Sequence, residues 1–535
     1  MEQQDLNKRL LLALALSFFL FIGYSYFFPP AKSAQDINQT SNSANQTPAV
    51  ATASNANVPT SSTGLATASA APVEMASAAL LTVKADNFIM TIDEFARIAQ
   101  VELLEVKYHD VEGENLKILG ANEVKPLEVR FSDVKLNEEA FKTPYVNAGS
   151  QTVDLSKGPQ TVVLTQTLSS VTITKKITFK PTGEYDVALE TSVPTPYFIT
   201  PGHRPVADKS IYMLVRGALV KGADDIINIV EDGNAEGYEK FQNAKIASAF
   251  DRYVASMFFD FDKGLNISIL KETNDDPLIF IESTGTLQLG AYIGPKEEKI
   301  LKAIHPELTD AIEFGWFSFL AKPFFKVLLW INDYVGNWGW AIILFTLLVK
   351  LILFPLSYKG MMSMQKLKDL APKMKELKEK YKGDPAKMNA QMMEMYKKHG
   401  ANPMGGCLPL ILQIPVFFAL YRVLLNADEL QGAPWILWID NLAAMDPYFV
   451  LPVLMGASMW FQQRITPSNF TDPLQEKIFK WFPVIMTVFF VYFPSGLVLY
   501  WLVNNLFTIG QQYFINHMYA KQKAVAVVAH KKAKD

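Results

Sequence analysis

Six apolar segments, each near the length of a bilayer crossing, constrain the fold of this chain more than any other feature. They cover residues 10–28, 338–358, 407–425, 448–463, 478–493 and 497–515. An α-helix needs about 20 mainly apolar residues to cross the ~30 Å hydrocarbon core of a bilayer. Hydrophobic residues make up 50% of the chain, and their excess lies in these segments. The sequence therefore predicts a polytopic α-helical membrane protein with six spans.

The region between the first and second apolar segments has two distinct compositions. Residues 31–78 are dominated by Ala, Ser, Thr, Asn, Gln and Pro, which cannot bury enough apolar surface to offset the entropy of ordering. We expect a disordered tether there. From 79 to 313, β-branched residues recur in alternating segments such as TVVLTQTL and SVTITKKITFK. This pattern predicts a large antiparallel β-sandwich.

The remaining boundaries follow from composition. The first apolar run exceeds the 7–15 residues usual in a signal peptide, which favours an uncleaved anchor, although cleavage near Ser33 or Ala34 stays open. Segment 314–336 is aromatic but interrupted by charges, as in a helix that lies in the membrane interface. The predicted order is an anchor at 1–30, the tether at 31–78, the β-sandwich at 79–313, an interfacial amphipathic helix at 314–336, a second span at 337–358, a cytoplasmic helical hairpin at 359–406, four further spans at 407–515 and a basic cytoplasmic tail at 516–535.

Loop charge predicts the orientation of these segments. Residues 359–399 carry 11 Lys against 5 acidic residues, whereas residues 29–330 carry 27 Lys plus Arg against 38 acidic residues. Positively charged loops next to spans remain in the cytoplasm. We therefore expect the hairpin and both termini in the cytoplasm and the β-sandwich in the periplasm, with the protein in the inner membrane.

Lys350 is the one charged residue in the apolar run from 338 to 354. A cation at membrane depth costs about 3 kcal/mol on insertion scales, so it normally faces water, a partner or a functional cavity. Thr346 lies four residues before it, on the same helix face. Gln413 enters the next span at a similar depth, and Tyr500, Asn504 and Thr508 share one face of the last span. These residues predict a polar groove that opens to the cytoplasm.

Two less specific interpretations of these residues stay open. Lys350 could extend its ammonium group to the headgroups, while Gln413 and the asparagines join helices by hydrogen bonds, which are common between spans. Lys350 could instead be an ion or substrate ligand of a secondary transporter, although five unequal spans show no inverted repeat. An intramembrane serine protease would use Ser458 with His517, but no third group orients the histidine.

The hairpin is amphipathic and rich in Lys and Met. Its halves are separated at Gly383, Asp384 and Pro385, residues that end one helix and begin another. Such a charge run is often a solvated face, but clustered Met also provides a soft surface for varied apolar partners. We expect nascent chains to be received at Met388, Met392, Met393 and Met395.

Other classes of chemistry lack a sequence signal. The one cysteine, Cys407, excludes an internal disulfide. The six histidines form no ligand-spaced pair, so the sequence predicts no metal site and no cofactor. No P-loop with its Lys-Ser/Thr pair is present, which argues against ATP hydrolysis.

Several short motifs together resemble the YidC-type membrane protein insertases of Gram-negative bacteria, over essentially the whole chain. They are Tyr292-Ile293-Gly294-Pro295-Lys296, Asn402-Pro403-Met404-Gly405-Gly406-Cys407-Leu408-Pro409, Gln413-Ile414-Pro415, Asp472-Pro473 and Phe493-Pro494-Ser495-Gly496-Leu497. The resemblance implies a periplasmic super-sandwich and a hairpin that receives nascent chains. It also implies a substrate groove whose positive residue, usually arginine, is here Lys350. The implied lining is Thr346, Gln413, Phe417, Met455, Phe489, Tyr500, Trp501 and Asn504.

From residues and resemblance together, we expect a membrane protein insertase and chaperone that catalyses no covalent chemistry. The expected partners are nascent membrane proteins, the Sec translocon and membrane lipid. We also expect the hairpin and basic tail to bind the ribosome, and we expect no DNA binding.

Overall fold

The computed structural model describes residues 79–532 except 110–112, 208–214, 273, 382, 401–407 and 467–472. The predicted anchor at 1–30 and tether at 31–78 lie outside the described residues. Most of the motif from 402 to 409, with Cys407, lies outside them as well.

Nineteen β-strands form in the described part of the chain. They are β1 (Ala79–Lys84), β2 (Phe88–Asp93), β3 (Ile98–Leu103), β4 (Leu116–Lys117), β5 (Val129–Phe131), β6 (Val146–Asn147), β7 (Thr152–Asp154), β8 (Gln160–Thr167), β9 (Thr172–Phe179), β10 (Glu184–Thr191), β11 (Pro196–Ile199), β12 (Gly217–Lys221), β13 (Ile227–Glu231), β14 (Tyr238–Ala244), β15 (Ile246–Phe250), β16 (Val254–Phe259), β17 (Leu265–Lys271), β18 (Pro277–Thr284) and β19 (Leu287–Pro295).

These strands make three sheets. A nine-stranded sheet has the order β13-β12-β15-β16-β19-β10-β9-β8-β6, and two five-stranded sheets have the orders β4-β3-β2-β1-β7 and β14-β17-β18-β11-β5. Pairing is antiparallel throughout the described strands except between β1 and β7, which run parallel. Burial alternates along β9, where Ile173, Lys175 and Ile177 are buried. This period of two lets apolar residues from facing sheets form one core.

Nine α-helices form in the described part of the chain, all but one of them after the last strand. The α-helices are α1 (Val134–Ala140), α2 (Glu298–Ile304), α3 (Ser318–Val335), α4 (Trp338–Lys380), α5 (Pro385–Lys398), α6 (Leu408–Asn426), α7 (Val450–Ile465), α8 (Pro473–Phe490) and α9 (Ser495–Lys532). The prediction of a β-rich region followed by a helical region is thus confirmed. By length and hydropathy, one described stretch, Trp338–Leu377, can cross a membrane, and Gln413–Asn426 is a shorter apolar helix. The count of six spans stays a prediction.

Helices α3 and α4 meet at a sharp turn that the sequence specifies locally. Gly336 ends α3 in the left-handed region at φ +67°, a conformation that costs glycine little. Asn337 then caps α4, because its side-chain oxygen accepts from the Trp340 amide at 3.2 Å. Helix α4 continues without a break through Pro355 and Pro372. The predicted second span and the first half of the hairpin are therefore one helix of 43 residues.

The β-rich region sits directly on the helical region. Buried side chains of the nine-stranded sheet, among them Leu219, Phe250 and Tyr292, belong to the same apolar core as α3, α4, α6, α7 and α9. Arg252 Nε donates to the Leu425 carbonyl at 2.6 Å, and Asn426 Nδ2 donates to the Glu313 carbonyl at 2.7 Å. These contacts hold the sheet over the end of α6.

Candidate functional site

Lys350 lies on α4 and is joined to α9 through a hydroxyl group. Its Nζ donates to Thr508 Oγ1 at 2.9 Å. The Thr508 hydroxyl in turn donates to the Asn504 carbonyl one turn earlier, at 2.7 Å. No carboxylate of the described residues forms an ion pair with Lys350. Its positive charge is therefore solvated by a hydroxyl group and left without a counter-charge from the described chain.

A second polar contact joins α6 to α9. Gln413 Nε2 donates to the Tyr500 hydroxyl at 2.7 Å, and Tyr500 is 1% exposed. Tyr500, Asn504 and Thr508 occur every four residues, so they follow one face of α9. Lys350 and Gln413 thus approach that face from two different helices. The structure brings Lys350 to Thr508 and Gln413 to Tyr500 on this face.

Two residues of the predicted groove lining, Thr346 and Met455, are buried. Thr346 is 1% exposed, and its hydroxyl donates within α4 to the Ile342 carbonyl at 2.7 Å. Met455 on α7 is completely buried. Both belong to the packed helical core around the polar contacts. In this conformation neither presents its side chain to an open surface.

Aromatic rings lie beside the polar contacts. Trp501 packs edge-on against Phe417, with ring centroids 4.8 Å apart. It also packs against Phe490 at 5.1 Å, while Phe489 and Phe493 lie 4.8 Å apart. The rings connect α6, α8 and α9, and they give the polar positions an apolar wall.

Two buried polar atoms near the wall lack a hydrogen-bond partner among the described residues. They are Asn504 Oδ1 and Trp501 Nε1. A buried polar atom left without a partner costs about 1–3 kcal/mol. One acceptor and one donor are therefore available to a polar group that enters beside α9.

Asn505 and Ser458 form a contact that the sequence interpretation did not assign. Asn505 Nδ2 donates to Ser458 Oγ at 3.1 Å, and that hydroxyl donates to the Met455 carbonyl at 2.6 Å. Both residues are buried. The Ser458 hydroxyl, which a serine protease would use as its nucleophile, here joins α7 to α9. The position of Asn505 beside the polar face of α9 was the signal that could have indicated this role.

The four methionines of the hairpin occupy different environments. Met395 is 9% exposed and packs with Leu367, Leu370 and Tyr396 in a small core between α4 and α5. Met392 packs against the same core. Met393 is 50% exposed, and Met388 is half-buried. Met395 is therefore a structural residue of the hairpin, and Met393 offers the most accessible thioether.

A cluster distant from the groove joins the β-rich region to the chain after α6, and we call it the Asp428 cluster. Lys107 Nζ contacts Glu297 and lies 3.0 Å from Asp428 Oδ2, and the Tyr108 hydroxyl donates to the same oxygen at 2.6 Å. Asp428 is completely buried. Burial disfavours the Lys107 charge, yet Asp428 and Glu297 hold its pKa above the ordinary value. Because these residues are up to 321 positions apart, no sequence pattern indicated them.

Comparison with known proteins relates both regions of the chain to one family. A family model described as 60Kd inner membrane protein matches residues 330–523, and one described as YidC periplasmic domain matches residues 257–327. The membrane protein insertase YidC of Campylobacter jejuni is 50% identical over 96% of this chain and 97% of its own length. Those of Wolinella succinogenes and Helicobacter pylori strain 26695 are 48% and 45% identical, each over 98% of both chains.

Proposed function

Because the chain belongs to the YidC family of membrane protein insertases, we propose that it inserts nascent proteins into the inner membrane through a groove at Lys350. The observation that carries the proposal is the convergence of Lys350, Gln413 and the polar face of α9. An insertase must hydrate the polar part of a substrate while its apolar part enters lipid. Polar groups beside an aromatic wall meet both requirements.

The Lys350 charge suits it to the polar, acidic part of a substrate. Its described partner is the neutral hydroxyl of Thr508, so an entering carboxylate displaces no protein anion. A charge-assisted hydrogen bond contributes about 1.5–3 kcal/mol, more than a neutral one. Lysine attracts as a point charge and lacks the planar fork of arginine, so we infer attraction of acidic tails without bidentate capture.

The apolar part of the substrate leaves along the aromatic wall. Phe417, Trp501 and Phe489 belong to this wall, and α6 and α8 also carry exposed apolar side chains such as Phe418 and Val488. A substrate helix that slides along this surface enters lipid without passing a charged residue. Burial of each large apolar side chain supplies roughly 1.5–3 kcal/mol. This gain drives insertion without hydrolysis of ATP.

For the membrane arrangement, we propose the six spans, with both termini and the hairpin in the cytoplasm and the β-sandwich in the periplasm. The support is the Lys excess of residues 359–399 against the acidic excess of residues 29–330. The 16 residues of α7 span only about 24 Å at 1.5 Å per residue. A helix shorter than the ~30 Å hydrocarbon core thins the bilayer around it, which eases insertion.

We propose that the hairpin receives substrates before the groove does. Met393 and Met388 provide the accessible thioethers, while Met392 and Met395 keep α4 and α5 together. Helix α9 supports this unit, because Lys523 Nζ lies 2.8 Å from Asp369 Oδ2 of α4. A hairpin and basic tail joined in this way present one positive surface, which suits ribosomal RNA. Transfer from the Sec translocon is part of the same proposal.

The test compares charge variants of Lys350 in proteoliposomes, with a substrate that carries an acidic translocated tail. Lys350→Arg should insert at nearly the normal rate, and Lys350→Glu should be slower by at least tenfold, about 1.4 kcal/mol. Lys359→Glu is the matched control, since it makes the same charge change at an exposed position on the same helix. A substrate with a neutral tail should depend less on Lys350.

Two results would contradict the proposal. If Lys350→Glu inserts the acidic substrate as fast as Lys350→Arg, electrostatic attraction in the groove is wrong. If Lys359→Glu slows insertion equally, the effect comes from the overall charge of the helix. Leakage of small labelled solutes through the normal protein would favour the transporter alternative instead.

A further inference from the structure

Three residues with metal-binding side chains meet at one edge of the sheet β14-β17-β18-β11-β5. His203 follows β11, Glu272 follows β17 and Glu123 precedes β5. Strand β18 pairs antiparallel with both β11 and β17, so β11 and β17 run in the same direction. Strand β5 is antiparallel to β11. The ends of β11 and β17 and the start of β5 therefore lie at the same edge, although the three residues are far apart in sequence.

These side chains lie too far apart for direct hydrogen bonds but close enough for one ion to join them. His203 Nε2 lies 3.8 Å from Glu272 Oε2, and His203 Nδ1 lies 3.7 Å from Glu123 Oε2. One ligand atom from each residue lies within 4.8 Å of the others. Two ligands of one zinc ion are roughly 3.3 Å apart at bond lengths near 2.0 Å and tetrahedral angles. One ion binds a single nitrogen of the His203 ring, so side-chain rotation must bring that nitrogen and the two carboxylate oxygens from within 4.8 Å of one another to this spacing.

The backbone of His203 is fixed by a hydrogen bond, but one nitrogen of its ring lacks a hydrogen-bond partner among the described residues. The side chain of His203 is 11% exposed, and its Nδ1 is buried without a hydrogen-bond partner among the described residues. The backbone amide of His203 donates to the Val124 carbonyl at 2.8 Å, which fixes it beside Glu123. The amide of Glu272 donates to the Asp276 carbonyl at 2.8 Å. Backbone hydrogen bonds thus order the loops that carry two of the three residues.

Charge at this edge is unbalanced towards the negative. The Glu123 and Glu272 carboxylates lie together here, and Asp276 follows Glu272 in the same loop. The guanidinium group of Arg130 lies 2.7 Å from Glu128 and pairs with that residue. A divalent cation neutralises two carboxylates, and a neutral imidazole completes the set. The edge has the charge that such an ion requires.

We propose that Glu123, His203 and Glu272 bind one divalent transition-metal ion of the Zn²⁺ type. An imidazole nitrogen with two carboxylates favours zinc over Ca²⁺ or Mg²⁺, which prefer oxygen ligands alone. Three protein ligands leave a fourth position for water or for a group from a partner. Because the ion crosslinks the loops after β11 and β17 to the segment before β5, binding stabilises this edge of the sheet.

The first test is metal binding by the full-length protein in detergent, without a histidine tag. Titration with Zn²⁺ should show one equivalent bound, and Ca²⁺ and Mg²⁺ should not compete at tenfold excess. Zn²⁺ should also raise the temperature of thermal unfolding, since a ligand that binds the folded state stabilises it. Co²⁺ should give the visible absorption of a four-coordinate site. Absence of stoichiometric Zn²⁺ binding overturns the proposal.

The second test assigns the ligands. Glu272→Gln and His203→Ala should each weaken Zn²⁺ binding by at least tenfold. Loss of a residue that only supports a metal ligand typically weakens metal binding 10–100-fold, and loss of the ligand itself should weaken it at least as much. Glu272→Gln is nearly isosteric and should keep the fold. Thermal unfolding of this variant and of the normal protein in EDTA checks this. His517→Ala is the matched control and should bind normally. Undiminished binding in both site variants, or an equal loss in the control, means that the ion binds elsewhere and overturns the assignment.

Discussion

Removal of the Lys107 charge should open the contact between the β-rich region and the chain after α6. In the Lys107→Met variant the side-chain length is kept, but Asp428 loses its cation and retains the Tyr108 hydroxyl at 2.6 Å. Breaking a buried ion pair by removing one partner costs about 3–5 kcal/mol. Because the Lys107 side chain is 21% exposed, water reaches the cluster, and we take about 3 kcal/mol. That corresponds to about a 150-fold larger open population.

Hydrogen exchange measures this opening directly. The Tyr108 amide donates to Glu105 and the Gln431 amide donates to Asp428, each at 2.9 Å. Both amides should lose about two powers of ten in protection in Lys107→Met, while amides in the centre of the sheets keep theirs. The matched control is Lys299→Met, which removes an exposed ion pair with Asp333 and should change protection little.

A double variant separates the buried charge from a general loss of packing. Adding Asp428→Asn to Lys107→Met removes the unpaired carboxylate, so protection should recover by a large part of the loss. Normal protection in Lys107→Met would refute the view that Asp428 depends on this cation. Equal loss in the single and double variants would show that packing, and not charge, holds the two regions together.

Three further predictions concern other positions. Burial raises the pKa of Glu429 to about 7. The contribution of this carboxyl group to stability is therefore complete below the unfolded pKa near 4.5 and is lost as pH rises through 7. Glu429→Gln should reduce the change in the thermal unfolding temperature between pH 5 and 8. A Cβ at Gly456 would overlap the side chain of Thr487, so Gly456→Val should separate α7 from α8 and lower stability by about 1–3 kcal/mol, whereas Gly510→Ala, with open space around it, should not. Met393→Ser should weaken crosslinking of early nascent chains without changing the amount of protein in the membrane, and unchanged crosslinking would remove the thioether from the proposal.

The sequence was sufficient where the signal lies in consecutive residues. Alternation in segments such as 172–179 indicated strands, and the apolar runs indicated the helices of the last third. Asp384 with Pro385 marked the start of α5 because their backbone preferences are local. Lys350 could be recognised as unusual because the cost of a charge at membrane depth depends on its neighbours in the chain.

Tertiary structure decided which residues become partners. Lys350 meets Thr508 across 158 positions, Gln413 meets Tyr500 across 87, and Lys107 meets Asp428 across 321. Periodicity places a side chain on one face of a helix, but the helix that covers this face depends on how all the helices pack. Hydropathy likewise could not distinguish exposed Met393 from buried Met395, since both are methionines on one helix and the opposing face of α4 determines which is covered. Local free energies thus determined the elements of this protein, and long-range packing determined its polar contacts.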